Sequence, residues 1–107
     1  MPKYLLEVSY SPEGLQGVIK DTASGRKEVV QKMIKGAGGK LEAFYYSFGD
    51  NDLVAIADLP DNTVAASLSL ALGASGMVTG RTTPLLTVEE MDKAIKTKTN
   101  YKAPGSK

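Results

Sequence analysis

The sequence contains no cysteine, no histidine and no tryptophan. Without cysteine there is no disulfide, no thiolate nucleophile and no thiolate metal site. Without histidine there is no imidazole base, no histidine metal ligand and no Ser-His-Asp triad. Acid–base work near neutral pH would fall to a shifted carboxylate, a Lys or a Tyr. Neither charge sign dominates: 13 basic and 12 acidic residues leave a net charge of +1. A surface dedicated to nucleic acid usually needs a basic field, so no nucleic-acid partner is expected. No apolar run approaches the roughly 18 residues of a membrane-spanning helix. The start, Met1 to Glu7, has no long apolar stretch before a small-residue cleavage site and does not read as a signal peptide. The expected setting is cytoplasmic, with no membrane partner and no cofactor.

What is present fits one domain. A chain of 107 residues, 42% hydrophobic and 23% charged, can bury a core without staples. Lys3 to Tyr10 alternates with period two and reads as a first strand. Ser11-Pro12-Glu13 then has the form of a helix start, with Ser11 as N-cap and Pro12 at the first position. Leu15, Val18 and Ile19 give that helix an apolar stripe. Asp21 to Gly25 interrupts the pattern and predicts a kink or short break. Val29, Val30, Met33 and Ile34 resume it until Gly36, Gly38 and Gly39 end the helix.

Lys40 to Phe48 and Leu53 to Leu59 read as two strands joined by the turn residues Gly49-Asp50-Asn51-Asp52, a β-hairpin. Asp61 or Asn62 caps a second helix, carrying Val64, Ala65, Leu68, Leu70, Ala71 and Leu72, and Gly73 to Gly76 close it. Met77 to Leu86 reads as a fourth strand, with Pro84 marking an edge. Thr87 and Glu90 fit a capping box before a short helix with Met91, Ala94 and Ile95 apolar. A domain over residues 1–96 and a flexible tail over 97–107 follow from this pattern.

The order β-α-β-β-α-β is that of the ferredoxin-like α+β fold, an antiparallel sheet of order 4-1-3-2 with a short C-terminal helix added. Right-handed crossovers place both main helices on one face. The other face is left bare, and an apolar sheet face needs a cover; a second copy of the chain is the expected one, making a homodimer.

Five segments, Lys3 to Leu6, Gly38 to Tyr45, Phe48 to Asp52, Asp58 to Asn62 and Arg81 to Thr87, stand out together. With them, from about Tyr4 to about Tyr101, the chain resembles the GYD-domain family of small bacterial proteins. The resemblance implies a ferredoxin-like domain similar to dimeric α/β-barrel proteins and assigns no activity.

The candidate sites are sparse. Gly36-Ala37-Gly38-Gly39-Lys40 has the composition of a phosphate loop in the wrong context, since helix precedes it and strand follows. Asp50 and Asp52 could hold a hard cation, but turn chemistry accounts for them and no metal is expected. Alternation puts Phe44, Tyr46 and Phe48 on one face of the hairpin and Ala43, Tyr45 and Ser47 on the other. The aromatic face is the one expected to meet a second subunit. Glu7, Asp58 and Arg81 are charges on neighbouring strands that could cluster, bind an anionic ligand or supply a base, or else form ordinary ion pairs. Tyr10 and Arg26 could face the same cavity. These five are the candidate ligand-binding residues. The lysines of the C-terminal region are most simply solvated. Two functions remain open: a homodimeric small-ligand-binding or assembly protein, or a cofactor-independent enzyme of oxygenase or isomerase type.

Overall fold

Strand β1 (Lys3–Tyr10) is central because its alternation serves both sides of a sheet. In the computed structural model, which describes residues 1–105, it pairs antiparallel with β3 (Leu53–Asp58) on one side and β4 (Val78–Leu85) on the other. Strand β2 (Lys40–Tyr46) adds to β3, giving one four-stranded sheet of order β2-β3-β1-β4. This is the expected ferredoxin-like order, and the fold is α+β.

The first crossover is two helices, α1 (Pro12–Asp21) and α2 (Ala23–Gly36), broken where the sequence predicts. Ser11 caps α1 by accepting from the Gly14 N–H, and Pro12 follows it. Thr22 makes the break: its φ is +72°, and its side chain accepts from Gly25 N–H to start α2. The second crossover is α3 (Asn62–Ala74), capped by Asp61. The last helix, α4 (Val88–Lys96), begins with a complete capping box between Thr87 and Glu90.

The helix-side face of the sheet carries the core. Tyr4, Ala57 and Leu59 from the sheet region pack with Ile34 of α2 and Ala65 of α3, flanked by Leu6, Val30, Met33, Leu41, Val64 and Leu68. Full burial of a side chain such as Ile34 contributes about 1.5–3 kcal/mol.

A bulge in β2 shifts the register of the strand yet leaves Phe44 and Tyr46 on one face and Ala43 and Tyr45 on the other, as the alternation predicts. The register shifts between Leu41 and Ala43, so Leu41 pairs with Ala57 and Phe44 with Ala55, both helix-side partners. Phe44 and Tyr46 form an edge-on pair, and the Tyr46 hydroxyl donates to the carbonyl of Ala23 at the start of α2. The aromatic face of the hairpin therefore meets the chain's own first crossover rather than an open surface. Phe48 lies beyond the end of β2 and is fully exposed. Of the aromatic residues of β2, Tyr45 alone is on the open face, with register partner Val54.

The molecule is elongated. Its radius of gyration is 17.2 Å and its long axis 60 Å, against about 13 Å for the radius of a compact domain of this size. Every residue of α4 is exposed, and no residue of that helix is buried. Residues 97–103 have no regular structure and 104–105 form a turn; the last two residues of the expected tail lie outside the described residues.

Candidate functional site

The five candidate residues do not converge on one cavity. Alternation along β1 sends Tyr4, Leu6, Val8 and Tyr10 to the helix side and Lys3, Leu5, Glu7 and Ser9 to the open side. Glu7 is the register partner of Arg81, so these two share the open face. They border a polar cleft of about 410 Å³ with Ser9, Asp50, Asn51 and Thr79. There the Asn51 side-chain amide donates to Glu7 Oε2 at 3.3 Å.

Asp58 is on the same face but near the other end of β1, opposite Lys3. Lys3 Nζ donates to Asp58 Oδ1 at 2.8 Å and to Glu42 Oε2 at 2.9 Å. The Asp58 bond, then the Glu42 bond, raise the Lys3 ammonium above its ordinary value. The β2 bulge is what brings Glu42 into this clamp. Asp58 therefore belongs to a structural ion pair, separate from Glu7 and Arg81.

Tyr10 and Arg26 form a third group, on the helix side. Burial pushes the Tyr10 phenol up, and the neighbouring Arg26 guanidinium opposes this. Asp21 stands 3.7 Å from Arg26, tying the last residue of α1 to α2 across the Thr22 break. Tyr46 lies beside them, its phenol also raised by burial. The Tyr10 N–H donates to Asp52 Oδ2, so one of the two turn carboxylates is held by the backbone of β1. That bond accounts for Asp52 without a cation. Among the described residues, no group of three acidic side chains is placed to hold a metal ion.

A larger, apolar cavity lies elsewhere, an open groove between α3 and strands β1 and β4. Its volume is about 570 Å³, within the usual range for small-molecule sites. Its floor is Tyr4, Leu6, Val8, Val78 and Thr82, and its wall is Ala65, Ala66, Leu70 and Gly73 of α3. Small residues make the space: Ala and Gly on α3 face Gly80 on β4, where larger side chains would close the gap. Two hydrogen bonds tie α3 to the strands across it. The Tyr4 hydroxyl donates to Asn62 Oδ1 at 2.6 Å, and the hydroxyls of Ser69 and Thr82 lie 2.8 Å apart. The cavity is apolar with polar groups at fixed points, and Arg81 stands at its border with the polar cleft.

Sequence reasoning missed this cavity because it followed charge. The available signal was the charge-free run from Asn62 to Gly80, rich in Ala, Ser and Gly. Such a helix needs cover, yet its small side chains cannot fill the space over a sheet.

The domain that builds this cavity is matched by a family model for the GYD domain over residues 4–95. The chain belongs to the GYD domain family. No curated protein and no solved structure matches it. The matched span takes in all of the sheet but Lys3, the cavity and nearly all of α4 in this GYD domain. Among the described residues, no helix is long and apolar enough to cross a membrane.

Proposed function

We propose that this GYD domain is a homodimeric protein that binds a small apolar molecule between α3 and the sheet. The observation carrying the reading is the 570 Å³ cavity with an apolar lining and polar groups at Asn62, Ser69 and Thr82. Such a lining removes an apolar ligand from water while a few donors and acceptors orient it. Of the lining residues only Tyr4 and Arg81 are titratable, and the Tyr4 hydroxyl already donates to Asn62. This equipment suits retention of a ligand better than proton transfer.

The open face of the sheet supports the homodimer. On the open face, Leu5, Ile56 and Ala43 lie between the Lys3–Asp58 pair and the Glu7–Arg81 row, with Leu85 in the first row and Val54 and Tyr45 in the second. Apolar residues framed by both charge signs match a self-complementary interface, in which each patch meets its own copy.

The test combines native mass spectrometry with binding of the fluorescent probe 1-anilinonaphthalene-8-sulfonate. A dimer with one saturable probe site per chain is expected. Ala66→Trp, which fills the cavity from α3, should abolish probe binding while leaving circular dichroism unchanged. A folded wild type that shows no saturable site, or equal binding in the filled variant, rejects the cavity as the binding site.

A further inference from the structure

Besides the open sheet face, two more apolar surfaces among the described residues are left uncovered. The first is α4. Val88, Met91 and Ile95 are 75%, 47% and 73% exposed, and at this spacing they form one stripe along the helix. Leu86, just before it, is 59% exposed. A nine-residue helix does not persist in water on propensity alone, so a stripe of this kind stabilises it only by docking. The second surface is the mouth of the cavity along α3, where Leu70 is 73% exposed beside Ala66 and Gly73.

We infer that α4 of a second copy lies along α3 and closes the cavity. The lengths are compatible: nine residues of α4 span about 14 Å, and the lining of α3 from Asn62 to Gly73 spans about 18 Å. The charges agree as well. Helix α3 has no charged residue, so the apolar stripe of α4 meets no ion there. Arg81 at the border of the cavity complements Glu89 in the first turn of α4.

The junction between β4 and α4 favours a second copy over the chain's own groove. Only Leu86 and Thr87 separate the two elements. Thr87 is extended, at φ −71° and ψ 164°, and its N–H is committed to Glu90 Oε1 at 2.9 Å. Reversing the chain there would undo the capping box. Left as it is, the junction leaves α4 with every residue exposed. Exchange of such an arm is a low-cost route to a dimer. The proposal rests on the cavity being a binding site only for its consequence, that each ligand is enclosed by both copies; the arm exchange stands apart from it.

The absence of cysteine gives a clean test in the full-length chain. Two single variants, Leu70→Cys and Ile95→Cys, are purified, mixed under mild oxidation and separated by mass, one of them carrying a tag. The expected result is a disulfide-linked heterodimer well in excess of either homodimer. Adding Met91→Glu to the Ile95→Cys chain should lower that yield several-fold without changing the circular dichroism of the sheet domain. The double variant Leu70→Cys/Ile95→Cys separates the alternatives: a disulfide closed within one chain, or no preference for the mixed pair, overturns the proposal. Loss of probe binding with heterodimer formation intact would instead reject the ligand reading alone.

Discussion

The hydroxyl of Tyr4 donates to the side-chain oxygen of Asn62 at 2.6 Å, joining the central strand to the first turn of α3 beneath the cavity. Tyr4 is 2% exposed, so its ring is core and only its hydroxyl serves the cavity. Replacing Tyr4 by Phe keeps the ring and removes that bond. The expected cost is about 1 kcal/mol, because Asn62 is exposed and can turn to water. Urea denaturation should show a lower midpoint at unchanged slope. Probe affinity should change as well, since the bond sets the position of α3 over the sheet.

Gly39 controls the other side of the domain. A methyl group there would overlap the Asp58 carbonyl oxygen, with Leu59 Cδ2 and Ile34 Cγ2 also in the way at 3.0 and 3.2 Å. The obstacle is backbone on one side and buried core on the other, so neither can yield cheaply. Gly39→Ala should destabilise by about 1–3 kcal/mol. Gly36→Ala, two positions into open space, should be near neutral or slightly stabilising. Thermal unfolding of the two variants side by side checks the contrast.

Much of this architecture was legible in the sequence because short-range chemistry specifies it. Ser11, Thr87 and Glu90 state helix starts within four residues, and the structure uses each as a cap. The strand order followed from connectivity alone. What failed was long-range and geometric. The β2 bulge adds Glu42 to the strand and returns Phe44 to the same face as Leu41, which strict period two cannot anticipate. Glu7, Arg81 and Asp58 do share a face, as expected. Register sets Asp58 opposite Lys3 and Glu7 opposite Arg81, and that distance along β1 divides the cluster. The cavity was hidden because it is made by what its side chains lack.

Thr22 holds a backbone conformation that suits glycine. Its φ of +72° with ψ of 160° places a β-branched residue where side chains clash with the backbone. The threonine also caps α2 through Gly25 N–H at 3.2 Å. The two effects separate by substitution. Thr22→Gly relieves the strain at the loss of a few tenths for the cap, and should stabilise by about 0.5–1 kcal/mol. Thr22→Ala keeps a Cβ and loses the cap, and should destabilise by about 1 kcal/mol. If both variants lose stability equally in chemical denaturation, strain at this break is not the governing effect.

Alkaline pH should destabilise the domain through three groups. Lys3 is raised above its ordinary 10.5 by its bonds to Asp58 and then Glu42. Tyr10 and Tyr46 are raised above 10.0 chiefly by burial. In each case the folded chain holds its proton more tightly than the unfolded chain. The stabilisation is then complete below the ordinary values and is lost as pH rises through the raised ones. Stability should stay level through neutral pH and fall once pH passes about 10, where the unfolded chain begins to release these protons. Lys3→Met removes one contribution and should make the fall shallower while lowering stability at neutral pH, since Asp58 loses its partner. Tyr10→Phe should also make it shallower, with no ion pair lost. Urea midpoints followed across the alkaline range for the wild type and both variants give the slopes directly; a fall of equal steepness in all three would assign the effect to other groups.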